Sequence, residues 1–168
     1  MTPAEIALVL ESSGNAFAGL LRSIPRDVAS WRPAEGEWCV NECVGHIIEA
    51  EERGFAGRIR IILGADEPNL QGWDSAVVAR SRNDCERPPN ELLAVFEQMR
   101  RDSLELVRSI RPEHLERGGI HPEVARLTVN DLLHEWMRHD GNHLRQAYAN
   151  IQACVWPHMG NARKFSSG

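Results

Sequence analysis

Apolar positions along this chain recur at three- and four-residue intervals, the period of helices that bury one face. Ile6, Leu10, Phe17, Leu20 and Leu21 form one such stripe and predict a first helix from Pro3 to Arg22. Pro3 suits a first helical turn, where its missing N–H costs nothing, while Gly14 weakens the middle. Val44, Ile47, Ile48, Phe55 and Ile62 form a broader arc, predicting a second helix from Val40 to Leu63 that ends at Gly64. Leu92, Phe96, Met99, Leu106 and Ile110 mark a third, Asn90 to Ile110, with Asn90 as N-cap. The fourth starts at Thr128, with Asp131 in the capping-box position, and runs to about Ile151.

The connections are rich in proline and glycine. Ser23 to Trp38 carries Trp31 and Trp38, large aromatics of the kind that pin a loop onto a bundle. Gly64 to Pro89 reads as a long irregular stretch anchored by Trp73, with room for a short helix. A loop with Pro112, Gly118, Gly119 and Pro122 leads into the fourth helix, and no segment reads as a strand ladder. Four helices of this length predict an all-α four-helix bundle. The expected organisation is one helical domain over residues 1–152 and a polar C-terminal tail, 153–168, opened by Pro157 and Gly160.

Composition narrows the partners. A net charge of −5 and a pI near 5.8 argue against a general nucleic-acid binder, which needs clustered Lys and Arg to neutralise phosphates. The basic residues are scattered, and Arg100-Arg101 reads as a solvated helix face. No apolar run approaches the roughly 18 residues of a membrane span, and the N-terminus lacks the pattern of a secretory signal. A cytoplasmic protein is expected, with Cys39, Cys43, Cys85 and Cys154 as reduced thiols, since no Cys-x-x-Cys pair occurs.

The chemistry lies with the histidines. His139 and His143 are four residues apart, so their side chains lie within ~40° of each other on a helix and one turn apart. Leu132, Trp136 and Gln146 share that face, which therefore points inward. Two inward imidazoles need a partner for both rings: a metal ion, backbone carbonyls or buried carboxylates. His134-Glu135 invites a zincin reading, but the second histidine of that motif would fall at 138, where Arg138 stands. His46 is the candidate third ligand. It sits at the edge of the second helix's arc among the small residues Cys43, Ala50, Gly54 and Gly57, with Cys43 as an alternative ligand. Glu49 and Asp140 are placed to orient an imidazole, Gln146 lies one turn past His143, and His121 suits a pocket mouth. His114 and His158 read as surface residues.

Three segments carry a family resemblance. The first runs through Trp31-Arg32-Pro33, Trp38-Cys39-Val40-Asn41-Glu42 and His46-Ile47-Ile48-Glu49-Ala50-Glu51. The second is His121-Pro122 with Thr128-Val129-Asn130-Asp131-Leu132-Leu133, and the third is Trp136, His139-Asp140, His143-Leu144 and Gln146. In this ordered set the chain resembles the DinB/YfiT-like superfamily of metal-binding four-helix bundles. The resemblance implies an up-down-down-up bundle, a homodimer, and a divalent metal held by His46, His139 and His143. It departs from the family at Cys39, where serine often caps the second helix, and in the Gly64–Pro89 stretch. Relatives include S-transferases and isomerases that use small thiols such as bacillithiol or mycothiol, and others described only as metal-dependent hydrolases. Three neutral ligands leave an open position for a thiolate or a water, and zinc, nickel and iron all suit imidazole. The resemblance implies a metal-dependent enzyme using a thiolate or a water at that position, of the small-thiol S-transferase type, acting on a small-molecule substrate. The alternatives are a hydrolase and a non-catalytic metal or small-ligand binding stress protein.

Overall fold

The computed structural model describes residues 1–165. Helix α1 spans Pro3–Ser23, started by a capping box between Thr2 and Glu5. A single turn, α2 (Arg26–Ala29), interrupts the loop that follows. The second long helix is built in three pieces: α3 (Val40–Glu49), a π-helical stretch Ala50–Phe55, and α4 (Ala56–Gly64). After α5 (Ser75–Arg82) come α6 (Pro89–Ser109) and α7 (Val129–Val155). The bundle is formed by α1, the α3–α4 helix, α6 and α7, with α1 and α3 each lying against both α6 and α7. Ile6, Leu10, Ile59, Ile62, Val107, Leu133 and Trp136 fill one end of the core, and Phe17, Val44, Ile47, Leu92 and Phe96 the other. Among the described residues no helix is long and apolar enough to cross a membrane.

The structure differs from the periodicity in five places. Helix α6 starts one residue early, with Pro89 in its first turn and Asn90 behind it rather than capping, because a proline there loses no hydrogen bond. Helix α7 continues to Val155, four residues past the expected end, and short 3₁₀ turns over Trp156–His158 and Gly160–Phe165 carry the tail. The last three tail residues lie outside the described ones. The expected loop before α7 is an antiparallel hairpin, β1 (Gly118–His121) and β2 (Ala125–Thr128). It is widened by the chain at Pro68–Leu70, which exchanges Leu70 N–H to Ile120 O (2.8 Å) and Ile120 N–H to Pro68 O (2.9 Å). A Cβ at Gly119 would stand 2.7 Å from Pro68 O, so only glycine admits this approach. The expected short helix of the Gly64–Pro89 stretch is α5.

Arg100 is the fourth difference. It is not part of a solvated face but lies 4% exposed on the same stripe as Leu92, Phe96, Ser103 and Val107. Its guanidinium reaches Glu51 at 2.9 Å and Asp140 at 2.7 Å, both buried, and donates to Leu10 O at 2.7 Å. This ionic cluster ties α1, the π stretch, α6 and α7 together. The fifth difference is Cys39 and Cys85, expected as thiols and here paired as a disulfide with their Cα atoms 6.2 Å apart. Cys39 still occupies the N-cap of α3, with Glu42 accepting from its backbone N–H at 2.9 Å.

Candidate metal centre and cavity

His46 comes from the end of α3, and His139 and His143 from successive turns of α7. These helices pack side by side, so the four-residue spacing on α7 brings both of its imidazoles to face His46. One ring nitrogen from each of the three lies within 4.8 Å of the others. The Nε2 atoms of His46 and His139 are 3.0 Å apart, and the three ring centroids stand 4.5–5.0 Å from one another. The rings are tilted by 42–61°, so that edges rather than faces converge.

Burial sets the charge of this cluster. Desolvation, followed by the neighbouring imidazoles, drives His46 down to about 3. His139 is also driven down to about 3, by desolvation, His143 and then Arg138 and Arg100. His143 is lowered by burial, with Gln146 and Asp140 pulling the other way. The rings are thus neutral, the state in which imidazole binds a metal. His143 Nδ1 lies 2.9 Å from Gln146 Oε1; a donor there fixes the proton on Nδ1 and leaves Nε2 to face its neighbours. At 3.0 Å one of the facing Nε2 atoms of His46 and His139 can donate to the other, whereas His139 Nδ1 is buried with no hydrogen-bond partner. The donor set fits one divalent ion of the kind imidazole favours. Trp38 covers the cluster, 5.0 Å from His46 and stacked on His143 at 5.9 Å, and Phe55 lies edge-on to His139 at 5.2 Å.

The other residues singled out from the sequence fall at varying distances from the triad. Gln146 touches His143, a contact expected of Glu49 or Asp140 instead. Trp136 is buried behind the site, stacked on Phe55 at 5.3 Å. Asp140 accepts from Ser13 at 2.6 Å and pairs with Arg100, so it braces α7 rather than holding a ring. Glu49 pairs with Arg53 at 2.5 Å and faces Arg82 at 3.9 Å. Cys43, the alternative ligand, is buried away from the triad, its thiol pushed up to about 12 by desolvation. His121 is 7% exposed and lies well along from the triad, its Nε2 2.8 Å from Arg58 Nη2.

A cavity of about 670 Å³ opens onto His46 and His139. Ala50, Gly54 and Arg58 follow His46 along one wall, and Phe55, Leu127, Leu132 and Val124 make it largely apolar. His134, set aside as the start of a zincin motif, also lines it. Sequence reasoning missed Arg58, Trp73 and Trp38 as site residues. The spacing of Ala50, Gly54 and Arg58 at four-residue intervals from His46 was the available signal for Arg58. Nothing local marks Trp73, which reaches the cavity from the irregular stretch.

The Bacillus subtilis protein "Putative metal-dependent hydrolase YfiT" is 20% identical over 111 residues, 66% of this chain, and the match spans 62% of that relative's length. The solved structure of YfiT, described as having an unusual four-helix bundle topology, superposes with a TM-score of 0.82 at 17% identity over 92% of this chain and 88% of that one. A mycothiol-dependent maleylpyruvate isomerase superposes with a TM-score of 0.66 at 11% identity over 86% of this chain and 60% of that one. The four-helix bundle protein TT2238 does so with 0.62 at 24% identity over 88% and 99%. The fold is the four-helix bundle expected from the helix pattern. The sequence profile of the DinB superfamily matches residues 10–147, and the chain belongs to that superfamily.

Proposed function

We propose that His46, His139 and His143 hold one divalent metal ion, and that the protein is an enzyme using it to activate a small exogenous thiol toward an electrophilic substrate in the adjoining cavity. The observation that carries this reading is the make-up of the cluster: three neutral imidazoles, with no carboxylate or thiol of the chain joining them among the described residues. A bound dication would keep its full charge in a largely apolar setting and would favour an anionic ligand from outside. Such an ion lowers the pKa of a thiol or a water. The chain's own residues do the rest. Gln146 holds the His143 tautomer, Trp38 and Phe55 pack against the rings, and the buried Cys43 stays protonated and does not compete. The mycothiol dependence of the isomerase with the same fold supports a thiol. The hydrolase description of YfiT supports a second reading, in which water takes the thiol's place. A non-catalytic binding protein is the third, and it predicts no turnover with either nucleophile. The chain is further proposed to act in the cytoplasm, where such thiols are found, and to pair as a homodimer; sedimentation equilibrium showing only an 18.9 kDa species would exclude the dimer.

Metal content is the first test. His46→Ala, His139→Ala and His143→Ala should each lose the metal, whereas His114→Ala and His158→Ala should keep it. Full stoichiometry in His46→Ala would place the third ligand elsewhere. Cobalt substitution then tests the nucleophile. Bacillithiol, mycothiol or glutathione should raise a sulfur-to-metal charge-transfer band in the near ultraviolet, and no change at millimolar thiol would leave the hydrolase and binding readings. A band present without added thiol and lost in Cys43→Ser would mean that the chain supplies its own sulfur.

A further inference from the structure

The cavity that starts at His46 ends at a cation, Arg58, that makes no ion pair among the described residues. His46, Ala50, Gly54 and Arg58 line it at four-residue intervals, so one face of the helix forms a trough between an imidazole and a guanidinium. The two residues between them are small: Ala50 adds little bulk to the trough, and Gly54 lets the Trp73 ring lie against the helix at its far end. The other charged groups of the lining are already engaged. Arg138 pairs with Glu135 at 3.2 Å, and Asp131 accepts the Thr128 N–H at 2.9 Å. Among the described residues Arg58 has no carboxylate within ion-pair reach, although the Glu123 charge acts on it from further off. Its Nη2 lies 2.9 Å from Gln71 O and 2.8 Å from His121 Nε2, neither of them an acid. Its Nε, and the Nε1 of Trp73 against which the guanidinium stacks at 4.7 Å, are buried without any acceptor.

This arrangement is built rather than incidental. Trp73 is seated against Gly54, where a Cβ would come within 3.0 Å of its ring. The segment carrying Gln71 and Trp73 is held by its hydrogen bonds to β1, and His121 is the last residue of that strand. Three separate parts of the chain therefore fix one half-buried guanidinium at the cavity wall. A charge removed from water and left unpaired is costly, and the orphan N–H groups beside it add to that cost. An oxyanion resolves both, and a carboxylate matches the planar fork of arginine.

We propose that the Arg58–Trp73 end of the cavity is a carboxylate-binding subsite, so that the substrate is an organic acid with an apolar body. Its carboxylate sits on Arg58, its body lies along Phe55, Leu127 and Leu132, and its reacting group is presented to the histidines. The last clause rests on the function proposed above; the carboxylate preference does not.

The test uses the purified full chain and two probes of matched length, octanoate and octanamide, titrated by calorimetry. Octanoate should bind at least tenfold more tightly than octanamide. Arg58→Gln should remove that ratio while leaving octanamide affinity and metal content unchanged. If Arg58→Gln does not fold, as judged by circular dichroism, Arg58→Lys replaces it, and the ratio should fall several-fold because the fork is lost. The ratio should also survive removal of metal by a chelator, so a protein that proves to hold no metal still tests the subsite. A ratio near one in the native protein overturns the proposal. So does a folded Arg58 variant that keeps the ratio, or a ratio that vanishes with the metal, which would place the carboxylate on the histidine cluster.

Discussion

Replacing Arg100 by methionine tests the buried ionic cluster at its centre. The substitution keeps most of the aliphatic volume that packs over Phe96 and against Gly14, but it leaves Glu51 and Asp140 without their shared cation. All three groups are at most 5% exposed, so solvent screening gives little relief. Removing one partner of a buried pair costs about 3–5 kcal/mol, mostly because the other charge stays buried and unpaired. For a domain of this size that corresponds to a fall in Tm of about 10 °C. Urea denaturation followed by circular dichroism should show the midpoint falling with the slope unchanged. The triple variant Arg100→Met, Glu51→Gln, Asp140→Asn should recover more than half of the loss, since no charge is then stranded. The loss should also be smaller at pH 4.5 than at pH 8. Burial already holds the Glu51 carboxyl above its usual range despite Arg100. A raised carboxyl pKa contributes stability at low pH that is lost as pH rises through the folded value, and losing Arg100 moves that value up further. A single variant within about 1 kcal/mol of the native protein, or a triple variant as unstable as the single, would refute the reasoning.

Without metal, stability should fall on acidification. His46 and His139 are held at about 3 in the fold, against about 6.5 unfolded, so the unfolded chain takes up protons first between those values. The slope is at most about 2.7 kcal/mol per pH unit for the two rings, and urea midpoints with chelator that stay flat from pH 7 to 5 would contradict it. Gly45→Ala should destabilise by at least about 1 kcal/mol, although helix propensity alone predicts a gain of similar size. The added Cβ would stand 1.8 Å from Asp84 Oδ2, and Asp84 is fixed by Arg82 and Arg87; a more stable variant refutes this. Thiol titration of the unfolded, unreduced protein should count two thiols, Cys43 and Cys154, whereas four would show that Cys39 and Cys85 are not bonded.

What the sequence revealed depended on whether the signal was local. The capping box at Thr128–Asp131 and the proline at the start of α1 involve groups three residues apart or less, and both ends are where they were read. The convergence of His46 with His139 and His143 followed from periodicity together with the family resemblance. The hairpin was missed because Gly118-Gly119 is a poor strand sequence on its own. Besides its own cross-strand pairs, β1 is held by Pro68–Leu70, fifty residues away in the chain, which no window of sequence contains. Arg100 was misread for a similar reason. It sits in step with Leu92 and Phe96, but only the arrival of Glu51 and Asp140 from two other helices makes a guanidinium tolerable there. Trp73 gave no sign of its role because its neighbours Gly54 and Arg58 belong to a different element.

The π-helical stretch Ala50–Phe55 has a consequence for how this helix tolerates changes in length. A π turn holds one residue more than the α turn it replaces, so removing one residue there would let the helix close into regular α hydrogen bonding. Because the α turn would span the same arc with one residue fewer, everything beyond would keep its facing relative to His46. A chain shortened by one residue here would have a more regular helix, with Arg58 still on the cavity and Ile59 and Ile62 still in the core. The regular segments on either side have no such slack: one residue out of α3 or α4 would turn everything beyond it by about 100°. The π stretch is thus the point at which this helix can lose a residue and keep both ends of the trough in line.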